Sequence, residues 1–214
     1  MRDDLSPEVL LAAYVTGIFP MADEAGEVHW LAPDPRAIIE LDGFTVSRSL
    51  RAVIRREGFE MTVNQAFPDV IEACADRVEG TWISPEIKEA YGVLHDLGFC
   101  HSVEVWQDGW LAGGLYGVAI GGAFFGESMF HRISDASKVA LVHLVSRMRE
   151  RGFTLLDVQF MTEHLRQFGA VEIPRIDYER RLGEAVRKPC SFVEGAGGTL
   201  FGEETRRSDA SPGA

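Results

Sequence analysis

Cysteine is scarce in this chain. Its 214 residues include Cys74, Cys100 and Cys190 and no further cysteine, and none of the three pairs is spaced as C-x-x-C. An odd number at wide spacing argues against a disulfide framework and against a cysteine-based zinc site. The sequence therefore predicts a protein of a reducing cytoplasm, without a metal centre.

Long hydrophobic runs are also missing. The longest apolar stretches fall far short of the roughly 20 residues that a membrane-spanning helix needs. The first seven residues, M-R-D-D-L-S-P, lack the pattern of a signal peptide. Apolar residues make up 46% of the chain and charged residues 25%, which is typical of soluble domains. We expect one sizeable domain with a small appendage, and no membrane partner.

Positive charge is in deficit. The chain has 21 Lys and Arg against 33 Asp and Glu, a formal net charge of −12, which argues against bulk binding of nucleic acid. One segment differs, because Ser47–Arg56 predicts a helix with basic residues on one face. These are Arg48, Arg51, Arg55 and Arg56. A solvated helix face is the commoner meaning of such a pattern, and a phosphate-binding patch is the alternative.

Helix and strand signals alternate irregularly along the chain. Ser6-Pro7-Glu8 and Ser84-Pro85-Glu86 each combine an N-cap, a first-turn proline and an acid, which predicts that helices begin there. Asp108-Gly109 and Gly121-Gly122 predict hairpin turns. The order of strands, helix, meander, helix and strand predicts an α+β domain in α/β/α layers, with a mixed, mostly antiparallel sheet.

Composition suggests three parts of the chain. Two prolines around Asp34 form a stiff connector, which predicts a small N-terminal domain of residues 1–35 and a main domain of residues 36–190. Residues 191–214 become rich in Gly, Ser and Glu from Gly195 onward, and we expect them to form a flexible tail.

The stretch from Gly113 to Gln159 contains the candidate catalytic residues. Two apolar runs flank Gly121-Gly122, a helix follows, and a third apolar run ends in Asp157-Val158-Gln159. Asp157 and Gln159 are two apart on a predicted strand and so share one face. Glu127 follows the hairpin. Three polar groups among apolar neighbours favour a reaction centre, although a structural acid is the commoner meaning of a strand aspartate.

Other reaction classes have weaker support. Gly126-Glu127-Ser128 lacks the glycine that a nucleophile elbow needs two residues after its serine, which argues against a Ser128, His164, Asp157 hydrolase. His95, Cys100 and His101 do not complete a metal-ligand set. The glycines between 113 and 122 lie in predicted strands and do not form G-x-G-x-x-G before a helix.

A series of short motifs runs in order between residues 6 and 182. They are G-I-F-P (17–20), P-D-P-R (33–36), S-R-S-L (47–50), G-T-W-I (80–83), H-S-V-E-V-W (101–106), G-E-S-M-F (126–130), D-A-S-K (135–138), D-x-Q (157–159) and G-A-x-E-I-P-R (169–175). Together they resemble the bacterial leucyl/phenylalanyl-tRNA–protein transferase family. The motifs are long and ordered enough to make this resemblance highly specific.

The resemblance implies an activity and a fold. Members of the family transfer leucine, phenylalanine or, less well, methionine from aminoacyl-tRNA to an N-terminal Arg or Lys of a protein, which marks that protein for N-end rule degradation. Their catalytic domain is like that of the GNAT acyltransferases and follows a small N-terminal domain. The aminoacyl ester arrives activated, so the resemblance implies no cofactor.

The resemblance also implies residue roles. Asp157 would orient and polarise Gln159, which would position the attacking amine. Glu127, with the charge of Asp157, would attract the cationic acceptor. Trp82, Tyr91 and Phe124 would hold the terminal adenosine and the nearby acceptor by stacking, and an apolar pocket would take the transferred side chain. The pocket positions are Leu115, Met129, Leu141 and Leu156, with Met21 and Met148 at two positions where other members can have Trp and Phe. The arginine face of Ser47–Arg56 and Lys138 would contact tRNA.

Two alternatives stay open from the sequence. One is an acyl-CoA-dependent GNAT enzyme, against which the missing R/Q-x-x-G-x-G/A segment before Asp135 counts. The other is a tRNA-binding module without catalysis.

Overall fold

The structure is a computed structural model that describes residues 5–56, 58–78 and 80–194. Within these ranges the helices are α1 (Pro7–Tyr14), α2 (Arg48–Arg56), α3 (Phe67–Ala75), α4 (Pro85–Asp96), α5 (Ala136–Glu150), α6 (Glu163–Arg166) and α7 (Arg175–Ala185). The strands are β1 (Phe19–Ala22), β2 (Val28–Leu31), β3 (Arg36–Ile39), β4 (Glu60–Val63), β5 (Cys100–Gln107), β6 (Trp110–Ile120), β7 (Ala123–His131), β8 (Leu155–Gln159) and β9 (Ala170–Ile173).

Seven strands form the central sheet, in the order β4-β5-β6-β7-β8-β3-β9. Its neighbouring strands pair antiparallel except β7 and β8, which pair parallel. Successive side chains such as Phe124 and Phe125 enter different hydrophobic clusters, as strand geometry requires. One of these clusters, the first core, lies between one face of the sheet and helices α1, α3, α4 and α7. The other cluster, the second core, lies between the opposite face and helices α2 and α5. The predicted α/β/α layers and mostly antiparallel sheet are confirmed.

The two predicted helix starts and the two predicted hairpin turns are confirmed. Ser6 and Ser84 accept hydrogen bonds from Val9 and Ile87 as N-caps of α1 and α4. Asp108 and Gly109 have φ angles of 52° and 78°, as a type I′ turn needs. Strand β9 was not predicted, because it is a four-residue edge strand with Val171 and Glu172 exposed, so it has little apolar periodicity to read.

The N-terminal segment shares a core with the main part of the chain. Leu10, Tyr14 and Phe19 lie in the first core together with residues of α3, α4 and β6. The boundary near residue 35 stays a prediction. At the other end, Phe192 is 2% exposed and its ring centroid lies 5.1 Å from that of Phe124, so residues 191–194 of the predicted tail include a core residue. Residues 195–214 lie outside the described part of the chain.

None of the helices in the described ranges has both the length and the apolar character needed to cross a membrane.

Candidate active site

Two β-bulges separate the strands at the centre of the sheet. In β7, Glu127 is the extra residue between Gly126, opposite Gly117, and Ser128, opposite Tyr116. In β8, Val158 is the extra residue between Asp157 and Gln159. The parallel pairing of β7 with β8 ends at Phe125 and Asp157, so the two strands diverge beyond the bulges. The polar residues identified from the sequence lie at this divergence.

A cavity of about 430 Å³ opens between the diverging strands. It is lined on one side by aromatic and apolar residues of the N-terminal segment and on the other by aliphatic residues of α5, β6 and β8. Eight predicted site residues line it: Met21, Trp82, Leu115, Glu127, Met129, Leu141, Leu156 and Gln159. The fold therefore brings together most of the predicted substrate-binding positions.

Asp157 lies behind this wall with no exposed surface. Arg36 donates to both of its oxygens, from Nε to Oδ1 at 2.9 Å and from Nη2 to Oδ2 at 2.7 Å. The Tyr178 hydroxyl donates to Oδ2 at 2.6 Å, and the backbone N–H of Gln159 donates to Oδ1 at 2.9 Å. Four donors occupy the carboxylate, and Arg36 balances its charge.

This environment changes the expected role of Asp157. The resemblance implied that Asp157 polarises the side-chain amide of Gln159 and adds negative charge beside the acceptor. In the structure Asp157 instead accepts the backbone N–H of Gln159, and its charge is paired with Arg36, which is itself 1% exposed. Asp157 therefore positions the end of β8 and does not face the cavity.

Gln159 reaches the cavity through an unusual backbone conformation. Its φ angle is 58°, a region that non-glycine residues rarely adopt. The side chain is 7% exposed, and its Nε2 donates to Glu127 Oε1 at 3.2 Å. The amide of Gln159 is thus paired with Glu127 across the gap between the strands.

Glu127 is held by two tyrosines from different helices. The Tyr14 hydroxyl of α1 donates to Oε1 at 2.7 Å, the Tyr91 hydroxyl of α4 donates to Oε2 at 3.4 Å, and the two hydroxyls also contact each other. Burial raises the pKa of Glu127 to about 8, the hydrogen bond from Tyr14 opposes this rise, and the negative charge of Asp157 adds to it. Glu127 is therefore a carboxyl group that titrates near neutral pH.

Three predicted substrate-binding side chains lie outside the cavity wall. Tyr91, Phe124 and Met148 are each 0% exposed. Phe124 packs against Phe192 in the second core, and Tyr91 turns its hydroxyl to Glu127. Stacking of adenosine on Tyr91 or Phe124 does not fit these positions, because neighbouring side chains already cover both rings.

The predicted tRNA-contact residues lie on the surface. Arg48, Arg51, Arg55 and Arg56 of α2 are exposed, Leu50 is buried in the second core, and Val53 and Ile54 are half-buried. Lys138, near the start of α5, forms an ion pair with Asp135 at 2.7 Å. The helix therefore has the predicted basic outer face, and Lys138 is already paired within the protein.

Four residues at or beside the site are absent from the predicted site residues. Arg36 ends the P-D-P-R motif and directly precedes the apolar residues Ala37-Ile38-Ile39, and a cation in such a position is a signal of a buried ion pair. Tyr14 and Tyr178 lie on helices among apolar neighbours, and nothing in the sequence distinguishes them from core aromatics. His164 also lines the cavity, and its Nε2 is buried without a hydrogen-bond partner among the described residues.

The structure gives little support to the hydrolase and metal alternatives. Ser128 accepts a hydrogen bond from Arg77 at 2.8 Å, and Asp157 pairs with Arg36 rather than with His164, so the triad is not assembled. His95 contacts the backbone oxygen of Cys100, and His101 contacts Asn64. Among the described residues, the one group of three adjacent ligand-type side chains is Asp23, Glu27 and His29, exposed around the β1–β2 turn.

Comparison with known proteins identifies the family. The model of the leucyl/phenylalanyl-tRNA protein transferase family matches residues 38–183, and the model of its N-terminal domain matches residues 3–34. The chain belongs to this family. Members of the leucyl/phenylalanyl-tRNA protein transferase family are aminoacyltransferases, so this chain is an enzyme of that class.

Curated relatives with the same family name align with this chain over most of their length. The transferase of Gloeobacter violaceus is 58% identical over 189 residues, which cover 88% of this chain and 97% of the relative. That of Salinibacter ruber is 56% identical over 187 residues, which cover 87% of this chain and 82% of the relative.

Solved structures with a similar fold are more distant. A GCN5-related N-acetyltransferase from Kribbella flavida is 15% identical, with a TM-score of 0.44 over 78% of this chain and 60% of that chain. L-PGS from Bacillus licheniformis is 17% identical, with a TM-score of 0.42 over 75% of this chain and 55% of that chain. At these scores they add nothing to the description of the site.

The buried pair of Arg36 and Asp157 predicts strong coupling between the two side chains. Asp157→Ala should lower the free energy of unfolding by about 3–5 kcal/mol, because Arg36 would stay buried without a partner. Arg36→Met combined with Asp157→Leu should cost clearly less than the sum of the two single changes. Urea denaturation of Asp157→Ala, of the two single variants Arg36→Met and Asp157→Leu, and of the double variant measures this. Glu179→Ala, which breaks an exposed pair with Arg175, is the control and should cost no more than about 1 kcal/mol. Additive losses at Arg36 and Asp157 would contradict the coupling.

The raised pKa of Glu127 predicts a pH-dependent cost to stability. Between pH 4.5 and about 8 the folded state binds more protons at Glu127 than the unfolded state does, so the stability that this residue contributes falls as pH rises. Relative to Glu127→Gln, the wild type should lose on the order of a few kcal/mol of unfolding free energy between pH 5 and pH 9. Urea denaturation across this range measures the difference, with Glu89→Gln on the exposed surface of α4 as the control. Parallel pH curves for wild type and Glu127→Gln would refute the shift.

Proposed function

We propose that this protein transfers leucine, phenylalanine or methionine from aminoacyl-tRNA to the N-terminal Arg or Lys of acceptor proteins in the cytoplasm, and so marks them for N-end rule degradation. The observation that carries the proposal is a single cavity with aliphatic walls at one end and the Glu127–Gln159 pair at the other. Its family membership supports the use of an aminoacyl-tRNA as the donor.

The aliphatic end suits the transferred side chain. Leu115, Leu141, Leu144 and Leu156 line the cavity together with Met129. Unbranched or γ-branched apolar side chains bury their surface in such a pocket, whereas polar side chains would lose their hydration there without gaining hydrogen bonds. The adjoining Trp82 is half-buried and lines the same cavity, which supports its proposed role of stacking on the terminal adenosine.

The polar end suits the acceptor. Aminolysis of the ester needs the α-amine held against the carbonyl carbon and needs help for the developing oxyanion. Gln159 lines the cavity, which supports its proposed hydrogen bond to the amine, and Asp157 accepts a hydrogen bond from its backbone N–H. Glu127 offers a carboxylate to the cationic N-terminal residue.

The basic outer face of α2 is the proposed contact for the acceptor stem. A protein with a net charge of −12 needs a local positive surface to approach tRNA phosphates, and α2 has four exposed arginines. The helix rests on α5, whose first turn follows the β7 strand that carries Glu127.

A transfer assay tests the proposal. The protein is incubated with leucyl-, phenylalanyl- or methionyl-tRNA and an Arg-initiated peptide, and mass spectrometry detects the new N-terminal residue. An N-acetylated peptide is the control for reaction at the α-amine. Transfer no faster than without enzyme would refute the function, and transfer from acetyl-CoA alone would favour the acyl-CoA alternative.

Charge reversal on α2 tests the tRNA surface. Arg51→Glu combined with Arg55→Glu should weaken aminoacyl-tRNA binding roughly tenfold or more and flatten its salt dependence, because fewer counterions are released. Fluorescence anisotropy from 50 to 200 mM salt measures both. Arg180→Glu on α7, which packs on the opposite face of the sheet, is the matched control. An unchanged salt slope for the double variant would remove α2 from the site.

A further inference from the structure

Glu127 is the one carboxylate among the described residues that line the cavity. Asp157 lies between two residues that line the cavity, but it has no exposed surface itself. Its oxygens already accept hydrogen bonds from Arg36, Tyr178 and Gln159. Gln159 presents an amide, which is a very weak base. The acid–base chemistry at this end of the cavity therefore falls to Glu127.

The proposed reaction produces a proton that the protein has to handle. An N-terminal α-ammonium has a pKa of about 7.7–8.0, so much of the acceptor arrives protonated at neutral pH and cannot attack the ester. A base inside the site is most effective when its own pKa is near the working pH.

We infer that Glu127 takes the proton from the α-ammonium group of the acceptor and so generates the attacking amine. This inference rests on the proposed function and assigns the step that the resemblance leaves without a residue. Glu127 Oε1 accepts from Tyr14 at 2.7 Å and from Gln159 at 3.2 Å, whereas Oε2 accepts, within the described part of the chain, from the more distant Tyr91 hydroxyl at 3.4 Å. Oε2 is the oxygen with capacity to accept a further hydrogen.

The step balances without any other reactant. One proton passes from the ammonium nitrogen to Glu127 Oε2. The nitrogen lone pair then forms the C–N bond at the ester carbonyl carbon, and the bond from that carbon to the ribose oxygen breaks. The ribose oxygen takes the second proton from nitrogen and leaves as a hydroxyl. Glu127 afterwards returns its proton to solvent.

The groups that face Glu127 from the surrounding elements are consistent with this role. They are Tyr14 of α1, Tyr91 of α4, Cys100 of β5, Tyr116 of β6, and Asp157 of β8 with its partner Arg36 of β3. Burial raises the pKa values of the three tyrosines well above 10.0, so their hydroxyls stay neutral, and those of Tyr14 and Tyr91 donate hydrogen bonds to Glu127. Burial also brings the pKa of Glu127 to about 8, close to that of the acceptor amine.

The test compares two acceptors that differ in their need for a base. Glu127→Gln keeps the shape of the side chain and removes its basicity. With an Arg-initiated peptide at pH 7, kcat should fall about 100-fold or more, since general base catalysis contributes at least this much. With hydroxylamine, which is already neutral at pH 7, the loss should shrink by at least about tenfold, because no proton has to be removed before attack.

Each other outcome has a distinct meaning. An equal loss with both acceptors, or a raised KM for the peptide at unchanged kcat, would overturn the inference and leave Glu127 as a counter-ion of the acceptor side chain. The same acceptor-dependent loss in His164→Phe, with none in Glu127→Gln, would also overturn it, because His164 is another base on the cavity wall. No transfer by the wild type to either acceptor would refute the proposed function instead.

Circular dichroism checks that Glu127→Gln is folded, and a second variant provides an independent test. Glu127→Asp keeps a carboxylate but withdraws it by one methylene. If Glu127→Gln does not fold, Glu127→Asp should be slow with the peptide and close to wild type with hydroxylamine. An equal slowing with both acceptors would contradict the assignment.

Discussion

The site depends on the buried ion pair of Arg36 and Asp157. The guanidinium also donates to the backbone oxygen of Gly17, and its carbon lies 4.7 Å from the ring of Phe19 and 4.6 Å from that of Tyr178. One arginine thus joins the N-terminal segment, β3, β8 and α7. Two buried charges are stable only while each has its partner, so these elements are held together at one point.

Because Asp157 is paired with Arg36, Asp157 and Gln159 have different roles although they are two residues apart in the sequence. Asp157 faces inward and holds the backbone of Gln159, while Gln159 and Glu127 face the cavity from two diverging strands. The N-terminal segment completes the arrangement, because Tyr14 of α1 binds the Glu127 carboxylate. The two segments matched by separate family models, residues 3–34 and 38–183, therefore meet at the same carboxyl group.

Some residues suggested by sequence resemblance have other positions in the structure. Tyr91 and Phe124 were expected to contact adenosine, and both rings are covered by neighbouring side chains. Aromatic residue type alone does not distinguish a stacking surface from a core residue, because both need a large apolar ring. For the same reason the sequence did not indicate Tyr14 and Tyr178 as site residues, although their hydroxyls donate to Glu127 and Asp157.

Local features of the sequence determined the helix starts, the two hairpin turns, the mostly antiparallel layered fold and the basic face of α2, and motif order singled out Glu127, Asp157 and Gln159 as candidate site residues. These follow from capping, periodicity and motif order, which act over a few residues. Tertiary structure alone decided that Asp157 is paired with Arg36, 121 residues away, that Glu127 and Gln159 contact each other beside two bulges, and that burial raises the pKa of Glu127 to about 8. Burial and long-range contacts determine the charge state and the orientation of these side chains, and a local sequence pattern does not contain either.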